Sequence, residues 1–298
     1  MVGFVGNGPF LTTAGESNVY TLAQTVEGFY PPTIPDLDNY TYEGATQYFD
    51  CSPPENTPED IYITSDGLTI FFVGRSANSV HKLPLTTAYD LTTAGTVTSF
   101  SVSTEETASQ GLHFADDPSD PTTYGKRLYV CGNSSDGVIE YHLTTAWDLS
   151  TASFTTGNSI SFGTFFANPN SLRFSKDGSR MFLVNASNLL QFDLSTPWQV
   201  NTALFSGGFE TEKFGSTVGY LGLAFSFDGK TGYLCSPTGD LMQSFHMSRP
   251  FDISNITAIT EVTLDTEGNK VGVFISSDNT KFFTVSSSGD LITRYSFG

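Results

Sequence analysis

Apolar and polar positions alternate with period two along most of this chain, in short runs cut by Gly, Asp, Asn or Ser. Such alternation predicts β-strands joined by tight turns rather than helices. One composite pattern recurs: apolar-x-apolar, two residues, then Asp-Gly or a relative. It reads IYITSDG (61–67), LHFADDP (112–118), LRFSKDG (172–178), LAFSFDG (223–229) and VFISSDN (273–279). Its equivalent positions Ile63, Phe114, Phe174, Phe225 and Ile275 are 51, 60, 51 and 50 residues apart.

A second apolar run follows each turn: TIFFVG, RLYVCG, RMFLVN, TGYLCS and KFFTVS. A third run comes next: SVHKLPL, GVIEYHL, NLLQFDL, LMQSFHM and LITRYSF. In four units it leads into a shared tail, TTAYDLTTA, TTAWDLSTA, STPWQVNTA or SRPFDISNI. Fourth-strand candidates are TVTSFSVS, NSISFG, LFSGGFET and AITEVTL. A period of ~50 residues with four strands per unit predicts an all-β, five-bladed β-propeller. The blades fall near 57–104, 105–164, 165–215, 216–265 and 266–298. The fifth unit ends after its third strand, and a spare strand, TYEGATQYFD (41–50), precedes the first. Supplying it to blade five closes the ring and removes a sheet edge. Blade two carries extra residues, DDPSDPTTYGK (116–126), in its first turn.

Alternation from Ile63 and its equivalents assigns ten residues to the channel side of the inner strands. These are Tyr62/Thr64, His113/Ala115, Arg173/Ser175, Ala224/Ser226 and Phe274/Ser276. None is a carboxylate, whereas glycoside hydrolysis needs a facing pair. His113 and Arg173 are the channel ligand candidates: they either hold an anion together or, as is commoner for such residues, hydrogen-bond to strand ends. The acidic groups Glu55, Glu59, Asp60, Glu105, Glu106, Glu210, Glu212, Asp265 and Glu267 sit between blades and read as solubility charge, with a metal-dependent glycan site as the lesser alternative. Asp136, Asp240 and Asp290 recur beside Gly as turn residues. Tyr89, Trp147, Trp198 and Phe251 read as packing anchors.

Composition narrows the function classes. The 298 residues hold 26 Phe, 13 Tyr and 2 Trp, with 13 Lys+Arg against 31 Asp+Glu, a formal charge of −18. A chain so poor in basic residues is unsuited to a phosphate backbone or an anionic membrane surface. No apolar run reaches the ~20 residues that span a bilayer, so neither nucleic acid nor membrane insertion is expected. The start, MVGFVGNGPFLTTAGESN, shows no basic n-region and no continuous apolar stretch, and no signal peptide is read there. Cys51, Cys131 and Cys235 make an odd count without metal spacing. Cys131 and Cys235 share the slot of Val73, Val184 and Val285, as small apolar residues do. The four His form no ligand pair, so no metal, cofactor or enzymatic activity is expected.

The segments FSKDGSRMFLVN and FSFDGKTGYLCS resemble the YVTN-type propeller repeat. The fuller unit, with YHLTTAWDLSTASF and FDLSTPWQVNTALF, resembles repeats of bacteriophage tail-fibre and other virion proteins. The resemblance covers residues 47–298 and brings no catalytic residues with it. It implies a non-enzymatic virion structural protein on a tail, fibre or capsid surface, assembled in the host cytoplasm. Its partners would be other virion proteins, its own copies, or a host-surface glycan. A carbohydrate-binding propeller or five-bladed glycosidase is the alternative. Residues 1–40 lie outside the repeat and carry Phe4, Phe10, Tyr20, Phe29 and Tyr30. They are either a flexible leader or an arm that docks on a partner through these aromatics.

Overall fold

The computed structural model describes residues 37–154, 156–210, 219–264 and 268–298. They belong to one compact unit, Pro35–Gly298, built as five small antiparallel sheets that form a five-bladed propeller. Blade one pairs Pro58–Ile63, Thr69–Gly74, Ser79–Pro84 and Thr98–Ser101 in order. Blades three and four repeat that order, with inner strands Ser171–Phe174 and Gly222–Phe225. In blade two the outer edge is split: Ala152–Phe154 and Ile160–Ser161 both pair with Gly137–Leu143.

The repeated turn is a hydrogen-bond circuit. In four blades a hydroxyl donates to the Asp two residues on: Thr64 to Asp66, Ser175 to Asp177, Ser226 to Asp228 and Ser276 to Asp278. The same hydroxyl accepts the backbone N–H five residues on. The residue after the Asp must take positive φ, which Gly tolerates best and Asn next. Gly178 has φ 70° and Asn279, its counterpart in blade five, φ 56°. Asp136, Asp240 and Asp290 also have φ near 50° (47°, 51° and 54°), as their reading as turn residues requires.

The shared tail joins neighbouring blades. Tyr89, Trp147, Trp198 and Phe251 each have positive φ and donate their N–H to the carbonyl of the turn Gly in their own blade. Each carbonyl then accepts from a cation of the preceding blade. Arg294 donates to Tyr89, Lys82 to Trp147, Arg127 to Trp198 and Arg180 to Phe251. The rings pack inward, Trp147 stacking on Tyr62 and Trp198 on His113. After the aromatic, Asp90, Asp148 and Asp252 cap short 3-10 helices with their side chains. Gln199, which replaces Asp in blade three, makes no such bond.

Blade five takes its inner three strands from Lys270–Ile275, Lys281–Ser286 and Leu291–Phe297, and its outer strand from the other end of the described chain. That strand is broken in two. Tyr40–Tyr42 pairs with Tyr295–Phe297 and Tyr48–Asp50 with Leu291–Thr293. The residues between bulge away around Arg294, whose guanidinium pairs with Glu43. Leu37 is buried in the same core as Tyr295 and Phe282, so the propeller begins a few residues before the boundary at 41 read from the sequence.

The closing strand buries Phe49 against Phe72 of blade one and Tyr40 and Tyr42 against Tyr295. A chain spanning 51–298 is therefore expected to melt well below one spanning 35–298, as read by circular dichroism. Equal melting temperatures would mean that the closing strand adds nothing.

Candidate functional site

The inner strands run side by side around the axis, and their channel-facing residues form three layers. The deepest holds Asp60, Gly111, Ser171, Gly222 and Gly272. The middle holds Tyr62, His113, Arg173, Ala224 and Phe274, and the outermost Thr64, Ala115, Ser175, Ser226 and Ser276. The deepest layer is a constriction: a Cβ on Gly272 would meet the Cα of Asp60 at 2.9 Å, and one on Gly111 the Cα of Ser171 at 2.8 Å. Three glycines and a serine let five strands converge there around one larger side chain, Asp60.

Arg173 and Asp60 fill the axis. The guanidinium Nη2 lies 2.8 Å from Asp60 Oδ1 and Nη1 2.9 Å from Oδ2, a bidentate pair. Arg173 is 4% exposed and Asp60 0%. Arg173 also donates to the carbonyls of Ile61 in blade one, Leu112 in blade two, Val273 in blade five and its own Leu172. Asp60 accepts further from the N–H groups of Ile61 and Leu112 and from the Ser171 hydroxyl. Burial pushes the Asp60 carboxyl up, and Arg173 and the backbone N–H groups pull it back.

The two channel candidates stand side by side in the middle layer, and their roles differ. Arg173 has its charge neutralised by Asp60, so the pair His113 and Arg173 is not a free anion cradle. His113 packs edge-on to Tyr62 and flat against Trp198. Burial first, and the Arg173 charge second, hold its pKa well below the usual value, so the ring is neutral.

Above this layer lies a cavity of about 170 Å³. It opens beside Ala224, where blade four presents a methyl group against the Tyr, His, Arg and Phe of the other blades. Its walls include Phe174, Phe225, Phe227, Phe251 and Phe274, with Tyr62 and His113 at the base. Asp116 and Lys176 bring charge to it. Asp116 reaches it because it directly follows the outermost layer, as do Ser65, Lys176, Phe227 and Ser277, which line the cavity from the other blades. Its carboxylate accepts from the Tyr62 hydroxyl at 3.2 Å, and burial raises its pKa to about 6. Lys176 Nζ sits 3.6 Å over the Phe227 ring.

The acidic residues between blades are not a solvated rim. Glu55, Glu59, Asp60 and Glu106 are buried, while Glu210 is exposed. The Glu55 carboxylate accepts the N–H groups of Thr57, Ser76 and Ala77, and Glu106 those of Ala108, Ser134 and Ser135. Each thereby ties a blade entrance to the turn between its second and third strands, satisfying backbone donors that burial would otherwise orphan. Burial alone would raise Glu55, but the facing His81 ring, 3.8 Å away, and hydrogen bonds from Ser76, Thr57 and Ala77 outweigh it and lower its pKa to about 2. Glu59 pairs with Arg75, yet burial dominates and raises its pKa to about 7. Glu212, Asp265 and Glu267 lie outside the described residues.

Cys51, Cys131 and Cys235 are buried free thiols, all raised by burial. Among the described residues no cluster of His, Cys, Asp or Glu fits a metal ion, and no helix is long and apolar enough to cross a membrane. The docking candidates Phe4, Phe10, Tyr20, Phe29 and Tyr30 lie outside the described residues.

No protein-family model matches the chain, and no curated protein matches it. Among solved structures, the β-propeller domain of Cps50 (Swd1) from Myceliophteria thermophila is 10% identical, with a TM-score of 0.46. The match covers 81% of this chain and 96% of that one. A Bacteroides uniformis protein described as a candidate 6-phosphogluconolactonase is 16% identical, also at 0.46. That match covers 79% of this chain and 65% of that one. At such identities and TM-scores nothing is carried over from either protein to this chain.

Removing one partner of a buried, hydrogen-bonded ion pair strands the other charge and costs about 3–5 kcal/mol. Arg173→Met is expected to lower stability by that order in chemical unfolding. Asp60→Asn leaves the Arg173 charge buried without a counter-charge and should cost a comparable amount. If Arg173→Met unfolds at the parent denaturant concentration, the axial pair holds nothing together.

The buried carboxyls also set a pH profile. Glu59 and Asp116 have raised folded pKa values, so their contribution is present below about 4, the unfolded range, and is lost as pH rises through about 6–7. Glu55 is depressed, so its contribution is present above its unfolded value and is lost as pH falls towards about 2. The melting temperature should therefore rise from pH 8 to pH 5 and fall again below about pH 4. Glu59→Gln should flatten the upper limb, and an unchanged upper limb in that variant would exclude Glu59 as its source.

Proposed function

We propose that this chain is a non-enzymatic structural protein of a bacteriophage particle, a propeller displayed on the tail, a fibre or the capsid surface and facing the host. The particle context rests on the resemblance of the repeat, above all the tail TTAWDLSTA and its relatives. The observation that carries the non-catalytic part is the axial ion pair. Hydrolysis of a glycosidic bond needs two carboxylates free to take and give protons across the substrate. Asp60 is buried at the constriction and fully bonded to Arg173, Ser171 and backbone N–H groups. Asp116 stands at the cavity without a second open carboxylate among its lining residues.

Attachment through residues 1–40 belongs to the same proposal. An aromatic side chain buries ~150–250 Å², so several anchors together could offset the entropy of ordering the segment. Display in many copies would strengthen the attachment without new contacts.

Two measurements test this reading. Antibody raised against the propeller should decorate intact particles in immunogold microscopy. Purified protein incubated with bacterial surface polysaccharide should release no oligosaccharide. Bare particles would remove the location, and release abolished by Asp116→Asn would remove the non-enzymatic assignment.

A further inference from the structure

The axial cavity has a composition that the propeller itself does not require. His113 is 6% exposed, lines the cavity, and has no hydrogen-bond partner at either Nδ1 or Nε2 among the described residues. A neutral imidazole offers one N–H donor and one acceptor, and buried polar atoms are ordinarily satisfied. Aromatic side chains wall the cavity around it: Phe174, Phe225, Phe251 and Phe274. The mouth adds the Asp116 acceptor and the Lys176 ammonium, the latter held over Phe227. The volume, about 170 Å³, is comparable with the ~150 Å³ apolar cavity that accepts a benzene ring. The space thus suits one six-membered ring, closed below by Arg173.

Ligand chemistry follows from these groups. A purely apolar ring would leave His113 unsatisfied. An anion would find Arg173 already paired and Asp116 in its way. A permanent cation would suit the aromatic faces and Asp116 but would meet Lys176 and gain nothing from the His113 donor. A neutral pyranose has C–H faces for the aromatic walls and hydroxyls that both donate and accept. We propose that the cavity binds a single neutral pyranose ring, with His113 and Asp116 bonding its hydroxyls and the Phe faces its C–H surface. The proposal deepens the host-facing part of the function proposed above, giving that surface a ligand class: the terminal sugar of a glycan.

The chain's two Trp, Trp147 and Trp198, stack on Tyr62 and His113 at the base of the cavity, so intrinsic fluorescence reports on its contents. The full chain is titrated with methyl glycosides of glucose, galactose, mannose and N-acetylglucosamine, followed by fluorescence and calorimetry. At least one should bind saturably. His113→Phe, which keeps the aromatic packing, should weaken that binding tenfold or more without lowering the melting temperature. Ala224→Leu, which fills the cavity from blade four and leaves every polar group in place, should abolish it and keeps the test open if His113→Phe fails to fold. No saturable response to any glycoside overturns the proposal, as does equal affinity in both variants. Saturation by tetramethylammonium or by inorganic phosphate in place of the glycosides also overturns it. Particle labelling is independent: labelled particles with no sugar binding would remove this inference alone, and sugar binding with bare particles would remove only the virion assignment.

Discussion

One buried ion pair organises the centre of this ring. Arg173 belongs to blade three, yet it bonds to groups in blades one, two and five, and Asp60 returns bonds to blades two and three. A propeller centre is difficult because five strands converge with their backbones parallel, leaving carbonyls pointed at a narrow core without partners. A guanidinium with several donors in a planar fork meets that need as a lysine could not, and one carboxylate neutralises it. The cost is asymmetry. Since one residue serves three neighbouring blades, the blade it does not reach, blade four, is left with Ala224, and the cavity opens there.

Electrostatics elsewhere follow the same economy. The chain has 13 basic residues, and four of them, Lys82, Arg127, Arg180 and Arg294, reach across to the next blade's aromatic anchor. Arg75 neutralises buried Glu59, and Lys176 caps an aromatic wall. The net charge of −18 thus reflects basic residues kept at joints more than a surface designed to attract a cationic partner. Several carboxylates on the negative side of that count are interior caps, so they contribute little to the outer field.

The repeat made the ring legible because each blade states the same pattern independently. Five copies of apolar-x-apolar before an Asp-Gly turn fix the inner strands, the turns and the channel side at once. The closing strand was legible as well, through the missing fourth strand of the last unit. What stayed hidden depended on neighbours rather than on pattern. Asp60 lies one alternation step below Tyr62, and its equivalents are Gly111, Ser171, Gly222 and Gly272. A lone carboxylate facing four tiny residues was the available signal, but proximity to Glu59 and Glu55 made it resemble surface charge. Glu55 and Glu106 resemble solvated charge for a related reason, since most of their donors lie about twenty to thirty residues ahead in turns. Asp116 aligns with Ser65, Lys176, Phe227 and Ser277, which share its place at the cavity, but the insertion that begins there makes it read as part of a surface loop.

The joint between Glu43 and Arg294 spans 251 positions of chain. Contacts that distant carry a large loop-closure term and slow the search for the native state. During synthesis, blades one to four can assemble in order, each stacking on its predecessor. Blade five cannot pair its outer strand until Leu291–Phe297 has left the ribosome. Until then Tyr40–Asp50 is an unpaired β-strand, and the apolar flanks of blades one and four face water. The growing chain therefore passes through a stage with two sticky edges, and on a polysome neighbouring chains at that stage could exchange closing strands. Ring closure inside one molecule depends on the local concentration of its own two ends exceeding that of its neighbours' ends.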